Sequence, residues 1–227
     1  MISLIIAATA PVWALLTFFY VRDRYDQEPR SLLIRVFLYG MGVTVIAALL
    51  GVFGLNALRR VFLAESLLYL VLENFVVIAL VEEGLKFLVV MRLAYHHLAF
   101  NEPYDGMIYA ITASLGFAAL ENILYVVQGG AQIALVRGLL SVPGHALFAA
   151  AMGYYLGRAR FSRTDGQETR NLQRALLIPV LLHGIFDLLL SSNHTVLAAG
   201  VIPFSIGMWI MAMRQVRLSE LRSPFRP

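Results

Sequence analysis

Seven stretches of the chain are mostly apolar and long enough to cross a lipid bilayer as helices. A helix rises 1.5 Å per residue, so roughly 20 residues span the hydrocarbon layer. The stretches are Ile2–Val21, Val36–Leu58, Phe75–Leu98, Gly106–Gln128, Gly138–Gly157, Ala175–Asn193 and Thr195–Met213. The sequence therefore predicts an all-α, polytopic membrane helix bundle with seven transmembrane helices.

Composition agrees with a membrane protein made of one domain. Of the 227 residues, 59% are hydrophobic and 14% are charged, and the mean hydropathy is +0.75. Soluble domains are nearer 25% charged. We expect a single integral membrane domain over residues 1–227. The apolar segment Val61–Leu72 is too short to span and predicts an interfacial helix, or an eighth span if it re-enters the membrane.

The distribution of arginine predicts the orientation. Fourteen arginines flank the spans on one side of the membrane, and Arg59, Arg60 and Arg137 flank the other. The positive-inside rule then places the N-terminus outside and the C-terminus in the cytoplasm. The formal charge of +4 follows from these loops, so we expect no nucleic-acid partner. The chain has no cysteine, which excludes a thiol nucleophile and a disulfide framework.

Ionisable side chains inside the predicted spans point to function. The stretch ALVEEGLKFLVV contains Glu82, Glu83 and Lys86, which is the only lysine in the chain. Three other spans contribute Glu121, His145, His183 and Asp187. Such groups are costly in a bilayer and usually face the interior of the bundle or a water-filled cavity. Seven of them exceed what membrane anchoring requires.

Helical spacing and depth suggest that these groups meet. Three pairs are four residues apart and share a helix face: Glu82 with Lys86, Glu121 with Tyr125, and His183 with Asp187. Glu83 lies about 100° round the helix from Glu82, so the two cannot face one point equally. Measured from the span ends, the four helices place their carboxylates and imidazoles roughly 12 to 17 Å below the outer surface. We expect one site at that level.

Two histidines and several carboxylates suggest water-activating chemistry by one of two routes. Catalytic zinc takes three protein ligands and keeps an open position, and a free glutamate then acts as general base. Without a metal, a glutamate can activate water while histidines stabilise the oxyanion. Both routes hydrolyse an amide. The HExxH signature of soluble zinc proteases is absent from the sequence.

Four motifs in this region resemble those of the PrsW family of intramembrane proteases. They are Glu82-Glu83-x-x-Lys86, Gly116-Phe117-x-x-x-Glu121-Asn122-x-x-Tyr125, the His145 helix ending in Gly153 and Gly157, and His183-x-x-x-Asp187. The family is similar to the CAAX-processing proteases, and the resemblance covers a core of about residues 75–190. It implies a CAAX-protease-like fold in a bacterial cytoplasmic membrane and cleavage of membrane-anchored proteins, for instance an anti-sigma factor.

The resemblance also suggests roles. Its metalloprotease name favours zinc, whereas the CAAX-protease similarity favours metal-free glutamate catalysis. Glu82 and Glu83 would handle protons, and His145 and His183 would bind zinc or stabilise the oxyanion. Asp187 would orient His183 or complete a ligand set with the two histidines. The supporting residues would be Lys86, Glu121, Asn122 and Tyr125.

Two other functions fit the same residues. Buried glutamate, aspartate and histidine also form proton relays, as in a proton-coupled transporter. A non-catalytic membrane scaffold could keep the fold and the polar residues for packing alone. The protease hypothesis requires a membrane-anchored protein substrate, and all three hypotheses place the chain in a lipid bilayer.

Overall fold

The computed structural model describes residues 2–64, 66–191 and 195–227 as a bundle of helices. Its elements are α1 (Ile2–Val21), α2 (Arg30–Val61), α3 (Leu67–Val71), a π-helical segment (Leu72–Leu80), α4 (Val81–Leu93), α5 (Asp105–Leu139), α6 (Ser141–Arg160), α7 (Asp165–Ser191), α8 (Thr195–Ala199) and α9 (Val201–Glu220). No strand occurs in these three ranges. The predicted all-α, polytopic bundle is confirmed.

Six helical stretches in the described ranges are long and apolar enough to cross a membrane. They are Ser3–Val21, Arg30–Val61, Asp105–Val127, Gln132–Arg160, Asp165–Ser191 and Thr195–Glu220. The third predicted span falls instead in the continuous helical run formed by α3, the π-helical segment and α4. The number seven therefore stays a prediction. The end of the sixth predicted span and His194 lie outside the described residues.

The predicted interfacial helix Val61–Leu72 is wrong. Val61 is the last residue of α2, and the chain turns before α3 begins at Leu67. Ser66 caps that new helix because its side chain accepts a hydrogen bond from the backbone N–H of Tyr69 at 3.2 Å. A helix start therefore divides the segment, and its second half leads directly into the run that carries Glu82.

The long helix α5 folds back on itself. The Nη2 atom of Arg137 lies 2.7 Å from Oε2 of Glu121, although 16 residues separate them. A straight helix would place them about 24 Å apart. The chain between them must therefore reverse, and Arg137 points into the bundle. The charge count places this arginine beside the outer end of a span, and that orientation stays a prediction; the contact shows that its side chain points into the bundle.

Close helix contacts hold the bundle around α5 and α6. α5 packs against α6, α2 and α1, and α6 packs in turn against α7. A Cβ at Gly153 of α6 would overlap the backbone of Gly106 and Met107 on α5, and one at Gly40 of α2 would overlap Ala113. Small residues at such crossings let membrane helices approach closely. The core positions four helices around the polar residues.

We predict that Gly153→Ala destabilises the fold. The added methyl group meets backbone atoms that cannot rotate away, and overpacking of this kind costs about 1–3 kcal/mol. Gly42→Ala on α2 is the matched control, because a Cβ there meets nothing within 4 Å. Thermal unfolding in detergent measures both. Equal midpoints for the two variants would contradict the close α5–α6 contact.

Candidate active site

The polar residues of four helices surround one cavity of about 700 Å³. Its walls come from the helical run that includes α4 and from α5, α6 and α7, while α2 closes it with an apolar face. The ionisable side chains that line it are Glu82, Glu121, Arg137, His145, His183 and Asp187. The structure thus brings together the groups that the depth argument placed at one level.

Lys86 lies at the centre of the site and contacts three of its members. Its Nζ atom lies 2.8 Å from Glu83 Oε1, 3.2 Å from Glu82 Oε2 and 3.0 Å from His145 Nδ1. The ammonium group also lies 4.2 Å from the centroid of the Phe117 ring, and the side chain is fully buried. The predicted pairing of Glu82 with Lys86 is confirmed, and Lys86 also links α4 to α6.

His183 is fixed between two carboxylates. Its Nδ1 atom lies 2.9 Å from Glu83 Oε1 on α4, and its Nε2 atom lies 3.1 Å from Asp187 Oδ2 on its own helix. The ring stacks on Phe148 with centroids 4.8 Å apart. The expected contact between Asp187 and His183 is confirmed. The partner of the other ring nitrogen comes from a different helix, so sequence spacing could not reveal it.

Glu121 connects His145 with Arg137. Its Oε2 atom lies 2.9 Å from His145 Nε2 and 2.7 Å from Arg137 Nη2. Arg137 also donates through Nε to Asn122 Oδ1 at 3.0 Å, and its guanidinium lies 4.0 Å from the Tyr125 ring centroid. Asn122 and Tyr125, predicted as supporting residues, therefore hold the arginine in place.

Sequence reasoning missed Arg137 as a site residue. On the chain it looks like one more arginine at the end of a span. The signal that could have revealed it is the glycine pair at positions 129 and 130, which interrupts an apolar stretch and permits a reversal. Because the chain reverses, the guanidinium of Arg137 joins the ammonium of Lys86 as a second cationic group of the site.

Glu82 and Glu83 point in different directions, as their helical phases predict. Glu82 lines the cavity and keeps 13% of its side chain exposed, whereas Glu83 is fully buried against His183 and Lys86. The second carboxylate oxygen of Glu83 has no hydrogen-bond partner among the described residues. Only Glu82 of this pair can meet a water molecule in the cavity directly.

The donor atoms fit a metal ion in two overlapping groups. Glu82, Glu83 and His183 form one, and Glu82, Glu121 and His145 form the other, each with ligand atoms within 4.8 Å of one another. Imidazole and carboxylate are ligands that zinc accepts.

The charge of the site also fits a divalent cation. The site holds four carboxyl groups against one lysine and one arginine, so two negative charges are left for a divalent cation or for imidazolium to balance when all four carboxyl groups are ionised. The ligand set His145, His183 and Asp187 stays a prediction, because the two histidines fall in different groups.

Comparison with known proteins places the chain in a family. The model of the PrsW family of intramembrane metalloproteases matches residues 28–214. The chain belongs to this family. It is similar to proteins named Protease PrsW from Geobacillus kaustophilus, with 40% identity over 222 residues (97% of this chain, 93% of the relative), and from Bacillus subtilis, with 37% identity over 220 residues (96% and 95%). A Protease PrsW from Clostridioides difficile is 35% identical over 214 residues (92% and 87%). No solved structure matches the chain.

Membership of the PrsW family decides the class of function. The chain is an intramembrane protease and an integral membrane protein, and its substrate is a membrane protein. The family is described as a metalloprotease, which implies a metal ion. These findings support the protease hypothesis and give no support to a transporter or a scaffold.

We predict that Lys86→Met strongly destabilises the protein. The variant leaves the fully buried Glu83 carboxylate without its ammonium partner, and breaking a buried ion pair in this way costs about 3–5 kcal/mol. Arg92→Met on the same helix is the control, since Arg92 is exposed and has no ion pair in the described ranges. Chemical denaturation in detergent micelles reads out both. A Lys86→Met protein as stable as the control would show that the ammonium contributes nothing.

Proposed function

We propose that the chain hydrolyses peptide bonds of membrane-anchored proteins in the cavity next to Glu82, within a catalytic core of about residues 75–190. The observation that carries this proposal is the position of Glu82. It is the carboxylate that lines the cavity while contacting Lys86, and ring nitrogens of both His145 and His183 lie within 4.8 Å of its carboxylate oxygens. A general base must be within reach of the proton that it abstracts, and Glu82 meets that condition for a water molecule in the cavity.

In this proposal Glu82 accepts a proton from water as the water oxygen attacks the carbonyl carbon of the substrate. The electron pair of the C=O bond moves onto the oxygen, and in this proposal His145 or His183 exchanges one of its carboxylate contacts to donate its ring N–H to the developing negative charge. The intermediate collapses, the C–N bond breaks, and the proton held by Glu82 passes to the leaving amine. Glu83 and Asp187 hold the His183 ring, and the ammonium group of Lys86 contacts Glu82.

A metal ion, which the family name implies, would be held by Glu82 with either Glu83 and His183 or Glu121 and His145. We propose zinc, since these ligands suit it. When bound, such an ion supplies a Lewis acid that polarises a carbonyl and lowers the pKa of water. Glu82 would then be a ligand, and the carboxylate left outside the chosen group would accept the proton. Metal-free catalysis by Glu82 is the other form of the same proposal.

The cavity wall formed by α2 fits an apolar substrate segment. It includes Ala47, Ala48, Gly51, Val52 and Leu55, so a transmembrane helix of a substrate would meet small and apolar side chains opposite Glu82. We propose a single-pass membrane protein, for example an anti-sigma factor, as the substrate. The arginine distribution supports an N-terminus outside and a C-terminus in the cytoplasm, and the bacterial relatives support a bacterial cytoplasmic membrane.

We predict that Glu82→Gln lowers the rate of peptide cleavage about 10²–10⁴-fold, because the amide cannot accept the proton. Glu73→Gln is the matched control: Glu73 lies nine residues earlier on the same helical run and does not line the cavity. Cleavage of a single-pass substrate in proteoliposomes measures both. Full activity in a folded Glu82→Gln protein would refute the assignment.

Metal analysis separates the two forms of the proposal. If zinc is held, we expect about one zinc per chain in the purified protein. Chelation should then abolish cleavage, added zinc should restore it, and Glu82→Gln should lose the metal as well as the activity. Cleavage that persists in a chelated, zinc-free protein would reject the metal route and leave Glu82 as the general base.

A further inference from the structure

Peptide hydrolysis needs a hydrogen-bond donor for the negative charge that develops on the substrate carbonyl oxygen, and three cationic or imidazole groups of the site are already occupied. Preorganised donors at that oxygen are usually the largest single contribution to such catalysis. Lys86 has three N–H groups, and they go to Glu82, Glu83 and His145. Both ring nitrogens of His145 and of His183 also contact partners. Each of these groups must give up a contact before it can donate to the oxygen.

Arg137 differs because part of its guanidinium group is unused. A guanidinium carries five N–H donors. Nε of Arg137 donates to Asn122 Oδ1 at 3.0 Å, and Nη2 donates to Glu121 Oε2 at 2.7 Å. The other terminal nitrogen, Nη1, makes no hydrogen bond with the residues that the structure describes, and it is not among their buried polar atoms without a partner. It is therefore accessible, and Arg137 lines the cavity.

Three contacts fix the guanidinium before any substrate binds. Glu121 and Asn122 hold it by hydrogen bonds, and its carbon atom lies 4.0 Å from the centroid of the Tyr125 ring. Only 18% of the Arg137 side chain is exposed. A donor that is already fixed in a largely dry site needs no reorganisation at the moment of reaction. Arg137 meets that condition.

Arg137 is also close enough to Glu82 for both to act on one peptide bond. Glu82, Glu121 and His145 place ligand atoms within 4.8 Å of one another, and Arg137 contacts Glu121 directly. An attacking water oxygen lies about 3–3.5 Å from the carbonyl carbon. A donor lies about 2.7–3.1 Å from the oxygen that becomes negative. A water molecule and a carbonyl group can therefore span the separation that the Glu121 carboxylate bridges.

Two neutral hydroxyl groups, those of Tyr125 and Ser141, line the same cavity. A hydrogen bond with a charged donor is roughly twice as strong as one between neutral groups. The guanidinium therefore matches a developing negative charge better than either hydroxyl group does. The two hydroxyl groups are the alternatives that an experiment must separate from Arg137.

We propose that Arg137 is a catalytic residue, which donates a hydrogen bond from its guanidinium to the carbonyl oxygen of the scissile peptide bond. The inference rests on the proposed hydrolysis in the cavity. As the water oxygen forms the new C–O bond, the electron pair of the C=O bond moves onto the oxygen that Arg137 contacts. The pair returns when the C–N bond breaks, and the proton taken by the general base passes to the leaving amine. Arg137 keeps its protons throughout, and neither histidine has to leave its carboxylate.

Cleavage kinetics in proteoliposomes provide the first test. Arg137→Met should lower kcat about 10²–10³-fold, the usual loss for one oxyanion donor. KM should stay within about twofold, because the interaction strengthens only in the transition state. Arg174→Met, an exposed arginine of α7, is the matched control and should leave kcat unchanged. Tyr125→Phe and Ser141→Ala should each cost less than Arg137→Met, and an equal loss in either would overturn the assignment to Arg137.

Binding of a transition-state analogue separates direct contact from a structural role. The probe is a phosphinate peptide, in which a tetrahedral phosphorus with an anionic oxygen replaces the scissile amide of a substrate that the wild-type chain cleaves. A comparison peptide carries –CH₂–CH₂– at the same place and has no oxygen there. Arg137→Met should raise the Kd of the phosphinate at least about tenfold and change that of the comparison peptide less than about twofold. Equal changes for both peptides, or an unchanged phosphinate Kd, would overturn the proposal.

A second variant keeps the test decisive if Arg137→Met fails to fold. Arg137→Met combined with Glu121→Gln removes both ends of the ion pair, so no carboxylate is left unpaired. Its phosphinate Kd should exceed that of Glu121→Gln alone at least about tenfold, and equal values would reject the role of Arg137. The two proposals fail separately. Full activity of Glu82→Gln counts against the proposed hydrolysis, whereas an inactive Glu82→Gln with phosphinate binding insensitive to Arg137 counts against this inference alone.

Discussion

The candidate active site depends on the buried ammonium group of Lys86. It contacts two carboxylates on its own helix and a histidine on α6, so a single side chain connects both candidate ligand groups. Three acidic groups of α4 and α5 lie close together in a medium that screens charge poorly. Without a central cation their mutual repulsion would raise the free energy of the folded state. Arg137 provides the same compensation at the other end of the site, where it binds Glu121.

The sequence allowed prediction of the contacts made within one helix. Glu82 with Lys86 and His183 with Asp187 are four residues apart, and helical geometry alone brings each pair together. Contacts between helices needed the fold. Nothing in the spacing pairs Glu83 with His183 or Lys86 with His145, because the rotation of each helix about its axis is set by packing. The position of Arg137 was harder still to predict from the sequence, because it depends on a reversal of the chain within α5.

The π-helical segment is one reason why residue spacing did not predict the directions in which Glu82 and Glu83 point. Leu72–Leu80 has the wider turns of a π-helix and leads directly into Glu82 and Glu83. A step of 100° per residue, counted from the start of the run, therefore gives the wrong phase for the two glutamates. Asn74 lies in this segment and donates to Leu70 O at 2.8 Å and to Ser191 Oγ at 3.2 Å, which joins the segment to the end of α7. π-Helical turns are often found at functional sites, and this one sets the rotation of α4 and so the direction of Glu82 and Glu83.

Whether the reaction uses a metal ion depends on the role of Glu82. This glutamate belongs to both candidate ligand groups and is also the member of the Glu82–Glu83 pair that lines the cavity. A carboxylate that holds a cation cannot at the same time act as an efficient proton acceptor, so the two roles exclude each other.

The carboxylates left over by each group are not equivalent. If Glu82, Glu83 and His183 held the ion, Glu121 would remain on the cavity wall, already bound by Arg137 and His145. If Glu82, Glu121 and His145 held it, Glu83 would remain, fully buried and turned toward His183. The first arrangement keeps a carboxylate at the cavity and the second does not. For a metal-dependent reaction, the positions of the side chains therefore favour the group that contains His183.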